Sequence, residues 1–576
     1  MESNRFSCGP LIAHRRDRRE IPSGSSPRAN AALARTVLYP GRSVAIPSRE
    51  MKPILLALTA ALLAGSAAAQ VRTFDVVVYG GTAGGAMAAV SAGREGKRAV
   101  LLEPGKHVGG MLTGGLSFTD YGKQEVIGGY SLEFFRRISR HYGVTGHTEW
   151  YFEPHAGEDI LKEMLREAKV TVLFGRRLRE KTGVEKTGTR ITEVTMENGE
   201  PYGGRIFVDA TYEGDLLAQG GVSYTWGREG SEQYGESLAG VRDRTPYHQF
   251  LIRVEAYDAN HRLLPEISPG PRGAANSADK KVQAYNFRLC LTDDRANQVP
   301  YPKPSNYDAK RYELLARLIA AQTKQAGKPR NFDQLCKPDR TVKRKTDVNN
   351  NGAFSTDYIG KSWDYPEASY QRRAGIWQDH VNYVQGFFWF LAHDPRVPKV
   401  LRDEVNSWGL AKDEFVDTGN WPHQLYVREA RRMIGEYVMI QRDLQTDLTK
   451  PDPIGMGSYN SDSHNVQRIA TADGAVENEG DMQVAVTPYQ IPYRVMLPKR
   501  DQATNLLVPV CMSSSHVAYS SLRMEPQYMI VGQAAGLAAS MAINANGPVQ
   551  SIDTAALTRK LVEQGAVMRW NPPRGK

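Results

Sequence analysis

Cysteine is scarce in this chain, with four residues in 576 and no two of them in a Cys-x-x-Cys spacing. This excludes a disulfide framework and a zinc ribbon, because each needs several cysteines close together. No basic run is interleaved with aromatic residues, so we expect no nucleic-acid partner. After residue 63 no apolar stretch is long enough to span a bilayer. The 41% hydrophobic and 24% charged residues are typical of a globular protein.

The first seventy residues differ in character from the rest. Residues 1–50 contain nine arginines against four acids, a net charge of +5. The stretch MKPILLALTAALLAGSAAAQ (51–70) has a positive start, a short apolar run and three alanines before its last residue, which is the layout of a secretory signal peptide. We therefore expect Met51 to be the true start, 51–69 to be a signal peptide, residues 1–50 to be mis-annotated upstream sequence, and the protein to be periplasmic or secreted. The alternative is that 1–50 form a genuine leader such as a transit peptide.

A glycine-rich turn, YGGTAGG, follows the first predicted strand. Residues 74–79 form a continuous apolar run, as expected of a parallel strand buried on both faces, and small residues at 86–92 begin a helix. A second predicted strand ends in Glu103. Such units bind a pyrophosphate at the helix start and a ribose hydroxyl at the acid. Tyr79 stands at the first glycine of the fingerprint G-x-G-x-x-G, and we expect Gly80 to make the tight turn instead, because glycine tolerates positive φ.

Three further segments resemble the glutathione-reductase-like FAD superfamily. PGKHVGGMLTGGL (104–116) contains the glycine pair that follows the acid there, and FVDATYEGDLLAQGG (207–221) resembles its strand-to-Gly-Asp segment. Residues 514–542 resemble its final cofactor helix, whose amino end lies near the flavin ring. The resemblance implies FAD as the cofactor, and no second G-x-G-x-x-G is present for a separate NAD(P)H site.

The candidate cofactor-binding residues come from the turn and from these matched segments. They are Gly80, Gly81, Thr82, Ala83, Gly84, Glu103, Pro104, Gly109, Gly110, Met111, Leu178, Asp209, Ala210, Asp215, Arg523, Gly532, Gln533 and Ala535. Leu178 is included because the segment after the third strand lies beside the adenine in related flavoproteins. A covalent flavin link at His107, which lies just before the glycine pair, is the less favoured alternative.

The resemblance narrows to a bacterial family of FAD-dependent oxidoreductases, some members of which are labelled xanthan lyase. The similar segments run along nearly the whole chain after residue 70 and include IGGYSLEFFRRI, YFEPHAGEDIL, DVNNNGAFSTDYIG, GNWPHQLYVREARRMIGEY and MGSYNSDSHNVQR. The family implies an α/β fold with a Rossmann-like, two-dinucleotide-binding-type FAD domain and an inserted α+β substrate domain. We predict the FAD-binding domain at 70–230 and 485–576, with the substrate domain at 231–484 between its two parts.

Three residues are candidates for catalysis. Oxidising an alcohol needs a hydride acceptor and a base near neutral pH, a task suited to histidine. His464 comes first, because SYNSDSHNVQR surrounds it with groups that can orient an imidazole, and His155 comes second. Arg428 is the third, facing the flavin or an anionic substrate group. The alternative for Arg428 is a solvated helix at 426–437, where charges recur at helical spacing.

No metal site is predicted. DVNNNG (347–352) superficially matches a calcium loop, but its twelfth position is Tyr358 instead of a bidentate glutamate, so we interpret it as a turn, with a substrate-facing polar loop as the second choice. The motifs H-E-x-x-H and G-x-S-x-G are absent.

The expected function is that of an exported FAD-dependent oxidoreductase that transfers a hydride from a substrate C–H, on an alcohol of a carbohydrate-like molecule, to flavin. The carbohydrate preference depends on the family label and on five tryptophans between 231 and 484, which suit an amphipathic core equally well. We expect a small-molecule or saccharide substrate, an unidentified electron acceptor, and no integral membrane segment after signal cleavage. The alternatives are an FAD-containing lyase or isomerase that acts on a polysaccharide or sugar without net redox, or a flavin-containing binding protein.

Overall fold

The computed structural model describes residues 70–572, which belong to one compact unit. Residues 1–50 and 51–69 lie outside the described residues, so their assignment as upstream sequence and signal peptide stays a prediction. The domain boundaries at 230/231 and 484/485 also stay predictions.

The α-helices follow the apolar periodicities of the sequence. They are α1 (Ala83–Arg94), α2 (Gly129–His141), α3 (Pro154–Glu167), α4 (Asp215–Gln219), α5 (Ser231–Tyr234), α6 (Glu313–Ala326), α7 (Asp333–Cys336), α8 (Tyr370–His393), α9 (Lys399–Val405), α10 (Gln441–Gln445), α11 (His516–Leu522), α12 (Glu525–Asn544) and α13 (Thr554–Glu563). The segment predicted as one cofactor helix is therefore two helices, separated at Arg523 and Met524. Pro526 lies in the first turn of α12, where its missing N–H costs no hydrogen bond.

The strands are longest in the first part of the chain and short thereafter. They are β1 (Arg72–Tyr79), β2 (Ala99–Glu103), β3 (Thr171–Phe174), β4 (Val184–Thr187), β5 (Arg190–Thr195), β6 (Pro201–Asp209), β7 (Tyr224–Thr225), β8 (Leu291–Thr292), β9 (Gln298–Val299), β10 (Pro338–Arg340), β11 (Thr346–Val348), β12 (Gly409–Ala411), β13 (Arg432–Met433), β14 (Pro453–Gly457), β15 (Ser461–Ser463), β16 (Gln467–Ala470), β17 (Val476–Glu479), β18 (Met482–Val484), β19 (Tyr489–Pro492) and β20 (Leu506–Leu507).

The main sheet is built around β1, which lies between β2 and β6 and is parallel to both. β3 extends the parallel part beside β2, and the antiparallel hairpin of β4 and β5 extends the sheet beside β6. Residues Val76 to Val78 are fully buried, as a parallel strand covered on both faces should be. The predicted strand–turn–helix–strand unit and the Rossmann-like sheet are confirmed.

Both ends of the described chain contribute to this region. β20 pairs in parallel with β6, so a late segment enters the sheet formed by the early one. α12 packs across α1 so closely that a Cβ on Gly532 would overlap the carbonyl oxygen of Gly84. The contact places the first turns of α12 beside the nucleotide-binding turn.

Residues 231–484 surround the long α8 with small two- and three-stranded sheets. Aromatic side chains form the core there, among them Tyr383 and Phe387, which are fully buried. Trp408 and Trp421 are buried as well, at 7% and 6% exposure, and these two tryptophans therefore serve the core instead of a ligand surface.

Candidate active site

The altered fingerprint turns the chain at Gly80. Gly80 has a φ of +100°, and a Cβ there would lie 2.8 Å from the backbone of Ala210. Tyr79 ends β1 without a positive φ, and its hydroxyl accepts a hydrogen bond from the Leu178 amide at 3.0 Å. Gly80 thus makes the turn that the fingerprint assigns to the position of Tyr79.

The start of α1 offers the donors that a pyrophosphate needs. Thr82 caps the helix by accepting a hydrogen bond from the Gly85 amide at 3.1 Å, and it donates to the Ala210 carbonyl at 2.7 Å. The first amides of a helix have no partner within the helix, and the helix dipole makes this end positive. Ala83 and Gly84 are the residues whose amides lie in this first turn.

Glu103 lies at the end of β2, beside the turn. Its carboxylate accepts hydrogen bonds from the Gly81 amide at 2.6 Å and the Gly105 amide at 2.5 Å. Burial raises the pKa of Glu103 to about 7, although the hydrogen bonds from the two amides act in the opposite direction. Glu103 and Thr82 line a cavity of about 250 Å³, the dinucleotide cavity, together with Gly105, Lys106, His107, Gly110, Asp417, Thr418, His423 and Gln424.

The glycine pair is attached to the same turn. The Gly109 amide donates to the Gly81 carbonyl at 2.6 Å, and the Met111 amide donates to the Tyr212 hydroxyl at 2.9 Å. Gly109 and Gly110 have φ values of +106° and +56°, which favour glycine. The helix start, the buried acid and the glycine pair thus converge at the dinucleotide cavity, and this donor set fits the pyrophosphate and ribose of FAD.

Other residues predicted to bind the cofactor lie elsewhere. Asp209 is held by the amides of Thr211 and Leu217, and burial raises its pKa to about 6. Asp215 forms ion pairs with Arg373 and Arg431, each at 2.7 Å. Asp215 and Pro104 line a second cavity, of about 220 Å³, with Tyr79, Arg177, Thr211, Glu213, Tyr365, Tyr370, Arg373, Ala374 and Trp377.

The residues predicted on α12 serve helix packing. Gln533 accepts a hydrogen bond from the Tyr130 amide at 2.8 Å and donates to Gln564 at 2.9 Å. Gly532 meets Gly84 through the backbone, and Ala535 is fully buried. Small residues are needed here because two helices approach closely, and the structure does not bring these side chains to the dinucleotide cavity.

His464 lines a separate, polar cavity of about 130 Å³, the His464 cavity. Its other lining residues are Asp120, His248, Arg288, Lys337, Asn349, Asn350, Tyr426, Tyr459, Asp462, Gln483 and Arg523. The Nδ1 atom of His464 lies 2.7 Å from Oδ2 of Asp357, whose Oδ1 lies 2.9 Å from Nη2 of Arg428. Within residues 70–572 the His464 Nε2 has no protein hydrogen-bond partner. His464 and Arg428, both predicted from the sequence, are therefore joined through Asp357.

The electrostatics of this array favour a neutral imidazole. Burial and, to a smaller extent, the nearby Arg428 charge lower the pKa of His464 to about 4, although Asp357 acts in the opposite direction. The pKa of Asp357 lies well below its usual range, because the charges of Arg428 and His464 outweigh its burial. At neutral pH the array is an ionised carboxylate that holds a neutral histidine.

The helix proposed as the alternative at 426–437 is not formed. The chain is extended there, and only Arg432 and Met433 form a regular element, β13. The arginines are buried and pair mainly with distant groups, Arg432 with Glu229 at 2.6 Å and Arg428 with Asp357, although Arg432 also contacts Glu429, three residues before it. The alternative of a solvated helix is therefore wrong, because most of these charges are paired across the fold.

The extended segment connects the two cavities. Gln424 lines the dinucleotide cavity, and Tyr426, two residues later, lines the His464 cavity. A Cβ on Gly115 would overlap the backbone of Arg288, another residue of the His464 cavity. The glycine segment that follows the dinucleotide turn therefore lies directly against a wall of the His464 cavity.

His155, the second histidine candidate, lies in a third cavity, of about 320 Å³, together with His107 and His423. Its Nδ1 is 2.7 Å from Glu414, and this hydrogen bond raises the pKa of His155. Within the described chain, Glu153, His155 and Glu414 are close enough to hold a cation, but the Lys345 ammonium already lies 2.6 Å from both glutamates. The structure does not bring His155 to His464.

Sequence reasoning missed Asp357. It lies in DVNNNGAFSTDYIG, whose more conspicuous feature is the calcium-like spacing that begins at Asp347. Asp347 is instead bound at both oxygens by Arg288, at 2.6 and 2.8 Å. A second aspartate in the same polar segment was the available signal, but its partner histidine is 107 residues away.

Two expectations about the described chain can be compared with the structure. Among residues 70–572 no helix combines the length and apolar character needed to cross a membrane. Cys290, Cys336 and Cys511 are buried and free.

Several solved structures resemble part of the chain. THI4 from Thermovibrio ammonificans is 18% identical over 31% of this chain and 72% of its own, with a TM-score of 0.21. L-proline dehydrogenase from P. horikoshii is 13% identical over 28% of this chain and 59% of its own, with a TM-score of 0.23. L-amino acid deaminase from Proteus vulgaris is 14% identical over 28% of this chain and 54% of its own, with a TM-score of 0.22. The last two matches span less than two thirds of those proteins.

Comparison with curated proteins finds no match. The family model described as FAD dependent oxidoreductase, in contrast, matches residues 75–561, which covers the dinucleotide turn, the glycine pair, the His464 cavity and α12. The chain belongs to the FAD-dependent oxidoreductase family, and it is an enzyme whose cofactor is FAD.

Proposed function

We propose that this enzyme oxidises an alcohol group of a polyhydroxylated small molecule bound in the His464 cavity. The observation that carries the proposal is a neutral histidine, held by an ionised carboxylate, with a free nitrogen at the wall of a polar cavity. When bound, FAD supplies the acceptor for the hydride that leaves the carbinol C–H.

The array is arranged to take up the proton of the alcohol. Because Asp357 accepts from Nδ1, that nitrogen carries the hydrogen and Nε2 presents its lone pair. Proton uptake at Nε2 creates an imidazolium next to the Asp357 carboxylate, which stabilises it. Arg428 keeps Asp357 ionised and fixes its orientation.

The lining of the His464 cavity supports a hydroxylated substrate. Asp120, Asn350, Asp462 and Gln483 offer amide and carboxylate groups that pair well with hydroxyls. No tryptophan lines the His464 cavity. The support for a carbohydrate-like substrate is therefore the polar lining of this cavity, and the tryptophans do not contribute to it.

We assign cofactor binding to the residues that meet at the dinucleotide cavity. The free amides in the first turn of α1, those of Ala83 and Gly84, bind the pyrophosphate, and Glu103, which also accepts from the Gly81 amide, binds a ribose hydroxyl. The segment Gly109–Met111 lies between this turn and the His464 cavity wall and binds the flavin part. Gly80 provides the turn that makes this approach possible.

Anaerobic titration of the purified protein tests the proposal. Sugars, polyols and their oxidised derivatives are added without oxygen, and the absorbance of oxidised flavin is followed. Its loss with a polyhydroxylated alcohol, and its retention in His464→Gln with the same compound, is the expected result. Turnover with the flavin oxidised throughout would identify a lyase or isomerase, and a spectral shift without turnover would identify a binding protein. Either result would reject the proposal.

We also propose that the protein is exported, with cleavage before Gln70. The support is the charge, apolar core and alanine pattern of residues 51–69. The amino terminus of the protein recovered from its native host tests this. A periplasmic or secreted form that begins near Gln70 is expected, and a cytoplasmic form that begins at Met1 would contradict it.

A further inference from the structure

Three buried arginines surround the ring of Tyr426 at the His464 cavity. The guanidinium carbons of Arg428, Arg523 and Arg288 lie 4.6, 5.9 and 6.0 Å from the ring centroid. Arg288 is neutralised by Asp347, and Arg428 by Asp357. Arg523 differs, since within residues 70–572 no carboxylate oxygen lies within ion-pair distance of it.

The contacts of Arg523 are all with uncharged groups. Nη1 donates to the Tyr426 hydroxyl at 3.0 Å, and Nη2 donates to the backbone carbonyl of Asp462 at 2.5 Å. Nε has no partner within the described chain, although the residue is only 3% exposed. A guanidinium has five N–H donors, so two bonds leave most of them unsatisfied.

A buried cation without a counter-ion is costly, because burial removes it from water and nothing restores the lost solvation. The fold around Arg523 supplies hydrogen-bond acceptors but no compensating carboxylate in contact. Asp120 and Asp462 line the His464 cavity together with Arg523 but, among residues 70–572, neither forms an ion pair with Arg523. An anionic group that enters the cavity can therefore supply the direct partner that the fold does not.

We propose that Arg523 binds a carboxylate of the substrate, which makes the substrate class polyhydroxylated acids. The proposal depends on the function proposed above for the position of the reacting alcohol, which lies at His464 while the carboxylate lies at Arg523. Asp120 and Asp462 line the same cavity and repel a second negative charge. A monocarboxylate with hydroxyls along its chain therefore fits better than a dicarboxylate.

An anionic oxygen at Arg523 has two possible sources, the substrate carboxylate and the negatively charged ring of reduced flavin. Binding of glycolate and of its neutral counterpart glycolamide, measured by calorimetry on the purified protein, addresses the first source. Because charged hydrogen bonds are stronger than neutral ones, we expect glycolate to bind at least about tenfold more tightly than glycolamide. Arg523→Gln should abolish this preference, Arg523→Lys should retain part of it, and the exposed control Arg262→Gln should leave it unchanged.

The second source is tested by the flavin reduction potential and by formation of the sulfite adduct, both of which respond to positive charge beside the ring. If Arg523→Gln lowers the potential and prevents the adduct while glycolate is still preferred, the anion belongs to the flavin and the proposal is wrong. Equal binding of glycolate and glycolamide to the unmodified protein would also overturn it, whether or not the variants fold. A protein that prefers glycolate but never bleaches with any alcohol would reject the proposed oxidation and keep the carboxylate site.

Discussion

In the His464–Asp357–Arg428 array, removing the charge of Arg428 and removing the charge of Asp357 should shift the pKa of His464 in opposite directions. The pKa of His464 lies at about 4, lowered by burial and by Arg428 and raised by Asp357. The protonated imidazole cannot accept a proton from the substrate, so kcat/KM should fall as the pH drops through this value. Arg428→Gln removes the lowering charge and should move this acid limb to higher pH. Asp357→Asn removes the raising charge and should move it to lower pH.

The size of the shift of the acid limb in Arg428→Gln follows from the distances within the array. The ion pair of 2.9 Å and the hydrogen bond of 2.7 Å share one carboxylate, which places a guanidinium nitrogen within roughly 8 Å of Nδ1. Two unit charges at that distance interact by about 2 kcal/mol at an effective dielectric constant of about 20. This corresponds to an acid limb displaced upward by roughly 1–2 pH units.

The assay is kcat/KM for the alcohol that bleaches the flavin, measured from about pH 2.5 to pH 9 in buffers of constant ionic strength, so that both sides of the acid limb are covered. Arg428→Lys is the matched control, because it retains the positive charge and should leave the limb near that of the unmodified enzyme. Thermal unfolding of each variant verifies the fold, since breaking a buried ion pair costs about 3–5 kcal/mol. Asp357→Asn should in addition lower the plateau of kcat/KM by about a hundredfold or more, because the base loses its charged partner.

Displacement of both limbs in the same direction would refute the reasoning, since it would mean that Arg428 and Asp357 do not act on His464 with opposite signs. An unchanged limb in both variants would show that the ionising base is another group.

Three further substitutions test the frame around the site. Burial raises the pKa of Glu525 to about 8, so the folded protein favours the neutral acid and becomes less stable as the pH rises from about 4.5 to 8. Glu525→Gln should therefore raise the free energy of unfolding, measured in urea, by about 3 kcal/mol near pH 7 and by little near pH 5. Equal effects at both pH values would contradict this. Gly532→Ala should lower the stability by about 1–3 kcal/mol or more, seen as a reduced Tm, because its Cβ meets the Gly84 carbonyl; an unchanged Tm would show that the helices separate freely. Tyr79→Phe should lower the free energy of unfolding by about 1–2 kcal/mol, because the Leu178 amide loses its hydrogen-bond acceptor. The FAD content of the protein should stay constant, because Gly80 makes the turn. Loss of FAD would instead give Tyr79 a direct role.

The nucleotide-binding half of the fold was predictable because its signals are local. The apolar run of β1, the glycine turn and the acid at Glu103 lie within thirty-two residues, from Arg72 to Glu103, and each step is fixed by neighbours in sequence. In residues 158–174 apolar residues recur at helical spacing and are followed by an apolar run, and the chain forms α3 and then β3 there. Tyr79 in place of the first fingerprint glycine does not disrupt the turn, since the adjacent Gly80 adopts the positive φ.

The site itself was only partly predictable, because its contacts join distant segments. His464 and Arg428 were identified, but nothing in the sequence shows that Asp357 bridges them. A solvated helix at 426–437 was the alternative because spacing is the only geometric cue that a sequence offers. Most partners of these arginines are instead acids far along the chain, and buried charges that pair across a fold leave no periodic trace.

Substitution on α12 should affect both cavities, because this helix connects them. Its first turns pack on Gly84, at the start of α1, and Arg523 lies immediately before it at the His464 cavity. Between the two, Tyr212 accepts from the Met111 amide and donates to Glu525 at 2.8 Å, which ties the glycine segment to the same helix start. A helix packed through glycine on one side cannot shift without steric overlap, so the distance between the cofactor turn and the unpaired arginine is fixed by backbone contact. The small residues of α12 thus hold the two cavities at a fixed distance from each other, although none of them needs to touch a ligand.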